Sequence, residues 1–239
     1  MSIIKVIAFD ADDTLWHNEW LYGETKEKVK RLLSDNHDPD LVAETIDDIE
    51  VANLQFYGYG IKSFTLSLIE AAITISKGKV DSELISRIIE YGKEMLRTDV
   101  PLFDGVQETL ASLHDSYELM LITKGENKEQ MRKVRRSGLA QYFRYIEVVD
   151  EKNQQTYCEI LTKHEIEPSR LLMVGNSLRS DIEPVLAIGG QAVYIPYTNT
   201  WSHETKIDMG SIHGKYEQVG QLSQLPELIQ RLDHSLRTQ

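Results

Sequence analysis

The sequence predicts an α/β protein: a doubly wound, mostly parallel sheet with a block of helices inserted into it. Three observations predict this. Four short apolar runs rich in β-formers occupy residues 3–9, 119–122, 145–149 and 171–174; runs of that kind suit strands buried on both faces. Helical patterns alternate with them from about residue 100 onward, as in doubly wound folds. Residues 17–99 carry helical periodicity and no strand pattern at all.

The first strand is expected at about 3–10. A helix near 105–115, opening at Asp104-Gly105, leads to the second strand at about 117–123. The next helix, about 126–138, has Glu126 and Glu129 in its first turn and Arg132, Lys133, Arg135 and Arg136 near its end, with Gly138 as its stop. That order matches the helix dipole and the glycine C-cap, so the basic run reads as a solvated helix end rather than a nucleic-acid patch. A third strand at about 143–149 precedes a helix near 154–165 with Tyr157, Ile160 and Leu161 on one face; Cys158 reads as a packed residue of that helix. A fourth strand, about 170–175, precedes a helix near 180–188. A fifth, 191–195, ends at Pro196; 208–220 reads as irregular or short extended chain, and 226–236 as a closing helix.

Within 17–99 four amphipathic helices are expected, at about 20–34, 39–56, 61–77 and 82–97. The third spaces Phe64, Leu68, Ile69, Ala72 and Ile73 at three and four, the helical period. Asp81 is the natural N-cap of the fourth.

Composition excludes several classes. The net charge is −12, which argues against non-specific binding to nucleic acid or an anionic membrane surface. A single cysteine, Cys158, permits no internal disulfide; together with a start that runs straight into the first strand, this points to a cytoplasmic protein. No stretch nears the roughly 18 consecutive apolar residues of a membrane span.

The ends of the apolar runs carry the chemistry. In open α/β sheets ligands sit beyond the carboxyl ends of the strands. Here those ends are Asp10-Ala11-Asp12-Asp13-Thr14, Thr123, the approach to Lys152, and Gly175-Asn176 followed by Asp181. Acid, hydroxyl, ammonium and acid would meet in one crevice. On these motifs the chain resembles the haloacid dehalogenase-like (HAD) hydrolase superfamily, and within it the magnesium-dependent phosphatases with an aspartate nucleophile. Asp10-Ala11-Asp12-Asp13-Thr14 looks like the first motif of that family, Ile122-Thr123 the second, Lys152 the third, and Gly175 through Asp181 the fourth. The resemblance implies a Rossmann-like core of residues 1–16 and 100–239, with residues 17–99 as a helical cap domain between the first and second motifs.

It also implies roles. Asp10 would be the nucleophile that forms an aspartyl-phosphate, splitting a difficult hydrolysis into two displacements. Asp12 would protonate the leaving alkoxide and then deprotonate the attacking water. A halide needs no such proton, and dehalogenases of the family lack this acid. Mg²⁺ would be held by the Asp10 side chain, the Asp12 backbone carbonyl and Asp181, with Asn176 ligating through water or orienting Asp181. Thr123 would contact a phosphate oxygen, with Lys124 a rival; Lys152 would hold Asp10 ionised and offset transition-state charge. Asp13, where the family often has glycine, reads as a solvent-facing or turn-stabilising acid. Trp16 and His17 are pocket or hinge residues. The segment 57–60 is a helix connector or a specificity loop, and Trp201 and His203 are candidate rim residues. The implied substrate is a small phosphorylated metabolite. The rivals are a phosphotransferase or mutase using the same intermediate and a catalytically silent binding protein of the same fold.

Overall fold

The computed structural model describes residues 4–34, 37–198 and 214–236. Trp201, His203 and much of the stretch expected to be irregular lie outside the described residues.

Among the described residues, six strands form one parallel sheet. They are β1 (Val6–Phe9), β2 (Glu118–Lys124), β3 (Tyr145–Val149), β4 (Leu171–Gly175), β5 (Gln191–Tyr194) and β6 (Glu217–Gln218), in the order β3-β2-β1-β4-β5-β6. The last is a two-residue strand beside β5, in a stretch where the sequence suggested irregular or short extended chain. Alternation sorts the side chains. Ile7, Phe9, Leu119, Leu121, Leu172 and Val174 face one layer, while Val6, Ala8, Met120, Ile122, Leu171 and Met173 face the other. Both faces are apolar because both are covered, as a parallel sheet requires.

The first layer is closed by α5 (Val106–His114), α6 (Asn127–Ser137) and α9 (Leu225–Leu236), through Leu110, Leu113, Val134, Leu228 and Ile229. The second is closed by α7 (Gln154–Lys163) and α8 (Glu183–Ala187), through Tyr157, Ile160, Leu161 and Val185. Every residue of β1 is fully buried; each large side chain so buried contributes roughly 1.5–3 kcal/mol. This central strand is therefore firmly placed, and with it the residue at its carboxyl end. The chain runs from β1 out to β2 and β3, then returns to β4 on the other side of β1. The topological switch point thus lies between β1 and β4, where ligands of such sheets bind.

Four helices, α1 (Glu19–Ser34), α2 (Pro39–Tyr57), α3 (Ile61–Ile75) and α4 (Ser82–Arg97), are inserted after β1. They share a separate apolar core that includes Val29, Ile46, Phe64, Leu68, Ile88 and Met95. Asp38 and Asp81 cap α2 and α4 by accepting from the N–H groups of Asp40 and Glu83. The chain forms two compact units, Met1–Glu19 with Val100–Gln239, and Trp20–Asp99. The core chain leaves and returns at one place: Trp16 bridges Leu102, the His17 N–H donates to the Pro101 carbonyl at 2.9 Å, and that of Phe103 to Leu15 at 3.1 Å. Among the described residues no helix is long and apolar enough to cross a membrane.

Two expectations need correction. Cys158 is exposed rather than packed, because the buried face of α7 is carried by its neighbours Tyr157, Ile160 and Leu161. The helix expected at 180–188 is split into a wide π-helical turn, Leu178–Ile182, and a short α8. The Asp181 and Ile182 N–H groups both reach back to the Ser177 carbonyl, at 2.9 and 3.3 Å.

Candidate active site

Asp10 stands one residue past β1, at the switch point, and its N–H donates to the Val174 carbonyl of β4 at 2.9 Å. Its carboxylate is buried. Lys152 Nζ donates to Asp10 Oδ1 at 2.5 Å and to Asp181 Oδ1 at 2.7 Å. One buried ammonium therefore joins two buried carboxylates from the ends of β1 and β4. Thr14 Oγ1 lies 2.8 Å from Asp10 Oδ2 and 3.3 Å from Asn176 Oδ1. Asp10, Thr14, Lys152, Asn176 and Asp181 thus form one contiguous polar cluster.

The electrostatics follow from burial. Desolvation pushes the Asp10 carboxyl up from its ordinary range, against the pull of Lys152 and with the repulsion of Asp181 behind it. Burial opposes the charge on Lys152, but the Asp10 and Asp181 carboxylates hold its pKa well above the ordinary lysine value. It stays an ammonium.

Asp181 is delivered by the π-helical turn. Its Oδ2 accepts from the Ser177 N–H at 3.0 Å. Gly175 allows this placement, because a Cβ there would overlap the Asp181 carboxylate. Tyr157, fully buried on α7, donates its hydroxyl to the Ser180 carbonyl at 3.0 Å and braces the same turn. Lys124, at the end of β2, lies 3.2 Å from Ser180 Oγ and 3.4 Å from Glu151 Oε1. Thr123 is 1% exposed, and its hydroxyl has no hydrogen-bond partner among the described residues. Buried hydroxyls are rarely left so.

Asp12 stands apart from this cluster in its contacts. Its carboxylate accepts from Trp16 Nε1 at 2.6 Å, Gln130 Nε2 at 2.9 Å and Lys133 Nζ at 2.9 and 3.0 Å. Lys133 is therefore not part of a solvated helix end; it is buried, because α6 turns this one position of the basic run toward the end of β1. The spacing of Gln130 and Lys133, one helical turn apart, was the available sequence signal. Thr14 and Trp16, which the motif pattern marks only as a flanking residue and a pocket or hinge residue, both join the site through their side chains.

Asp13 is buried rather than solvent-facing. Its backbone is left-handed, with φ +61°, a conformation that Asp tolerates better than most residues. Its carboxylate accepts the N–H groups of Asn18 (2.9 Å) and Glu19 (3.0 Å), so it does stabilise the turn. Burial raises its pKa to about 6, against those N–H bonds. His17 packs against Phe103 with its ring tilted by 45°, the centroids 3.8 Å apart. Beside Thr14 a cavity of about 220 Å³ opens between Phe103, Pro196, Tyr197 and Gln221. Tyr57 ends α2, and Gly58 and Gly60 make the connector with positive φ.

The donor set suits a hard cation. Two carboxylates share one ammonium, and Asn176 adds an amide oxygen. Mg²⁺ takes one or two carboxylates and completes its shell with water and phosphate oxygens. Among the described residues there is no group of three or more His, Cys, Asp or Glu side chains placed to hold a metal ion.

Known proteins bear on this arrangement. Residues 4–189 match the model of the haloacid dehalogenase-like hydrolases. A haloacid dehalogenase-like family hydrolase from Xanthomonas campestris is 36% identical over 100% of this chain and 96% of its own, with a TM-score of 0.88. A 2-haloacid dehalogenase from Pseudomonas syringae pv. Tomato DC3000 is 25% identical over 96% and 99% of the two chains, with a TM-score of 0.66. A predicted phosphoglycolate phosphatase from Haemophilus somnus shares the fold at 17% identity, covering 95% of this chain and 99% of its own, with a TM-score of 0.64. No curated protein is a significant match. By the family match and the Xanthomonas relative, the chain belongs to the haloacid dehalogenase-like hydrolases.

Proposed function

We propose that this hydrolase is a Mg²⁺-dependent phosphatase acting on a small phosphate monoester through an aspartyl-phosphate. One observation carries the choice over dehalogenation. A second carboxylate, Asp12, lies two residues from Asp10 and has its own set of buried donors. Release of a halide has no use for a proton carrier; release of an alkoxide does.

An oxygen of the Asp10 carboxylate attacks phosphorus, and the bond from phosphorus to the ester oxygen breaks. Asp12 gives that oxygen its proton, and the alcohol leaves. Water then attacks the phosphorus of the aspartyl-phosphate and passes a proton to Asp12. The bond from phosphorus to Asp10 breaks, which releases inorganic phosphate and restores both acids. Lys152 keeps its positive charge beside Asp10 throughout. The Thr123 hydroxyl donates to a non-bridging phosphate oxygen, and Lys124 adds positive charge nearby. Asp10, Asp181, Asn176 and the Asp12 main-chain carbonyl would hold Mg²⁺, which when bound offsets the charge of phosphate and carboxylates together. Residues 17–99 serve as the cap domain, its compact part being Trp20–Asp99.

The test is hydrolysis of phenyl phosphates with and without Mg²⁺, beside halide release from 2-haloacids. Metal-dependent phosphate release, lost by at least about 10³-fold in Asp10→Asn as expected for a missing nucleophile, supports the reading. Halide release without phosphate release refutes it.

A further inference from the structure

The Asp12 carboxylate is held unusually completely. A carboxylate offers about four lone-pair sites. Trp16 and Lys133 meet Oδ1, at 2.6 and 3.0 Å, while Gln130 and Lys133 meet Oδ2, both at 2.9 Å. The donors come from the hairpin-like exit of β1 and from one face of α6. Trp16, Gln130 and Lys133 are 0%, 2% and 5% exposed.

These donors are themselves fixed. Lys133 Nζ also meets Asn18 Oδ1 at 2.7 Å and Glu129 Oε1 at 3.5 Å. Gln130 Nε2 also donates to the Lys124 carbonyl at 3.1 Å. Gly125, with φ +132°, leaves Gln130 its room, since a Cβ there would lie 3.1 Å from Nε2. A buried ion pair is a poor source of stability, because desolvation offsets most of the attraction. Packing alone therefore does not account for a lysine here.

We propose that Lys133 and Gln130, together with Trp16, are positioning residues that aim the Asp12 carboxylate for proton transfer. The inference rests on the phosphatase reading. When Asp12 carries the proton, that O–H takes the place of one of the four contacts and points at the leaving oxygen; when the proton has gone, the contact re-forms until water returns one, and the other three keep the group aimed throughout. The consequence is a dependence on leaving group. An ester whose departing oxygen must be protonated needs the clamp, and one whose leaving group departs as a stable anion needs it far less.

The experiment measures kcat/KM with Mg²⁺ for a series from 4-nitrophenyl to 4-methoxyphenyl phosphate, in wild type, Lys133→Met and Gln130→Met. Proton transfer by a placed side chain contributes about 10²–10⁴-fold. Lys133→Met should therefore lose at least about tenfold more on the methoxyphenyl ester than on the nitrophenyl ester, and Gln130→Met should show the same slope change to a smaller extent. A purely structural role lowers all esters by one factor, and an unchanged slope in folded variants overturns the proposal while the phosphatase reading stands. Wild type without metal-dependent turnover of any ester overturns both. If Lys133→Met has no cooperative melt, Gln130→Met, which removes no charge, decides alone.

Discussion

Thr123 is the residue whose fold cost and proposed use are easiest to separate. An unsatisfied buried hydroxyl costs about 1–3 kcal/mol, and a side chain of the same shape without it removes that cost. Thr123→Val should therefore melt at the same temperature or higher. Its phosphate hydrolysis should nonetheless fall about tenfold, the worth of one hydrogen bond of about 1.4 kcal/mol. Calorimetry beside kcat/KM checks both signs, and parallel losses in the two would assign Thr123 to structure. Lys133 teaches the opposite lesson. Arg132, Lys133, Arg135 and Arg136 look alike in sequence, and only the helical phase of α6 separates the buried one from its exposed neighbours Arg135 and Arg136.

At the scale of elements, strand ends and turns divide the work. The residue just past β1 is Asp10, β2 supplies Thr123, the chain beyond β3 supplies Lys152, and the π-helical turn after β4 supplies Asp181. That turn was not legible in advance, because it depends on Tyr157 from a distant helix and on the absence of a side chain at Gly175. β3 shows how an element can carry pH dependence away from the site. Glu147 is partly desolvated, which raises its pKa, but Lys163 and His164, at 2.8 and 2.6 Å, pull it net below its ordinary 4.5. A carboxylate depressed in the fold lends stability that is complete above its unfolded value and fades as pH falls through the folded one. Acidification below pH 4.5 should therefore lower the melting temperature of wild type more steeply than that of Glu147→Gln; equal slopes would show that the pair contributes nothing.

For the molecule as a whole, the insertion begins and ends at one point of the core. The Trp16–Leu102 bridge and the bonds at Pro101 and Phe103 hold the two crossing segments side by side, and residues 20–99 bury their own apolar core. Replacing 20–99 by a short Gly/Ser linker should leave a core with a cooperative thermal transition and native near-UV dichroism. Loss of both would show that the two units fold only together. The net charge of −12 would repel the phosphate ester proposed above at long range, so in that proposal attraction comes from Lys152, Lys124 and the proposed cation within a Debye length of about 8–10 Å.

Periodicity and strand-end chemistry were written in the chain. Apolar runs of four to seven residues, alternating with helical patterns, determined a covered parallel sheet, since each local preference agreed with the global packing. The order of the motifs determined that Asp10, Lys152 and Asp181 would meet, because strand ends of a doubly wound sheet share one crevice. What surrounds Asp12 was decided only by the tertiary structure. A side chain on α6 and its target after β1 are more than a hundred positions apart; their meeting depends on helix phase, crossing angle and burial, which no local pattern encodes. The same is true of Asp13, whose carboxylate turned inward because two main-chain N–H groups at the entry to α1 needed an acceptor.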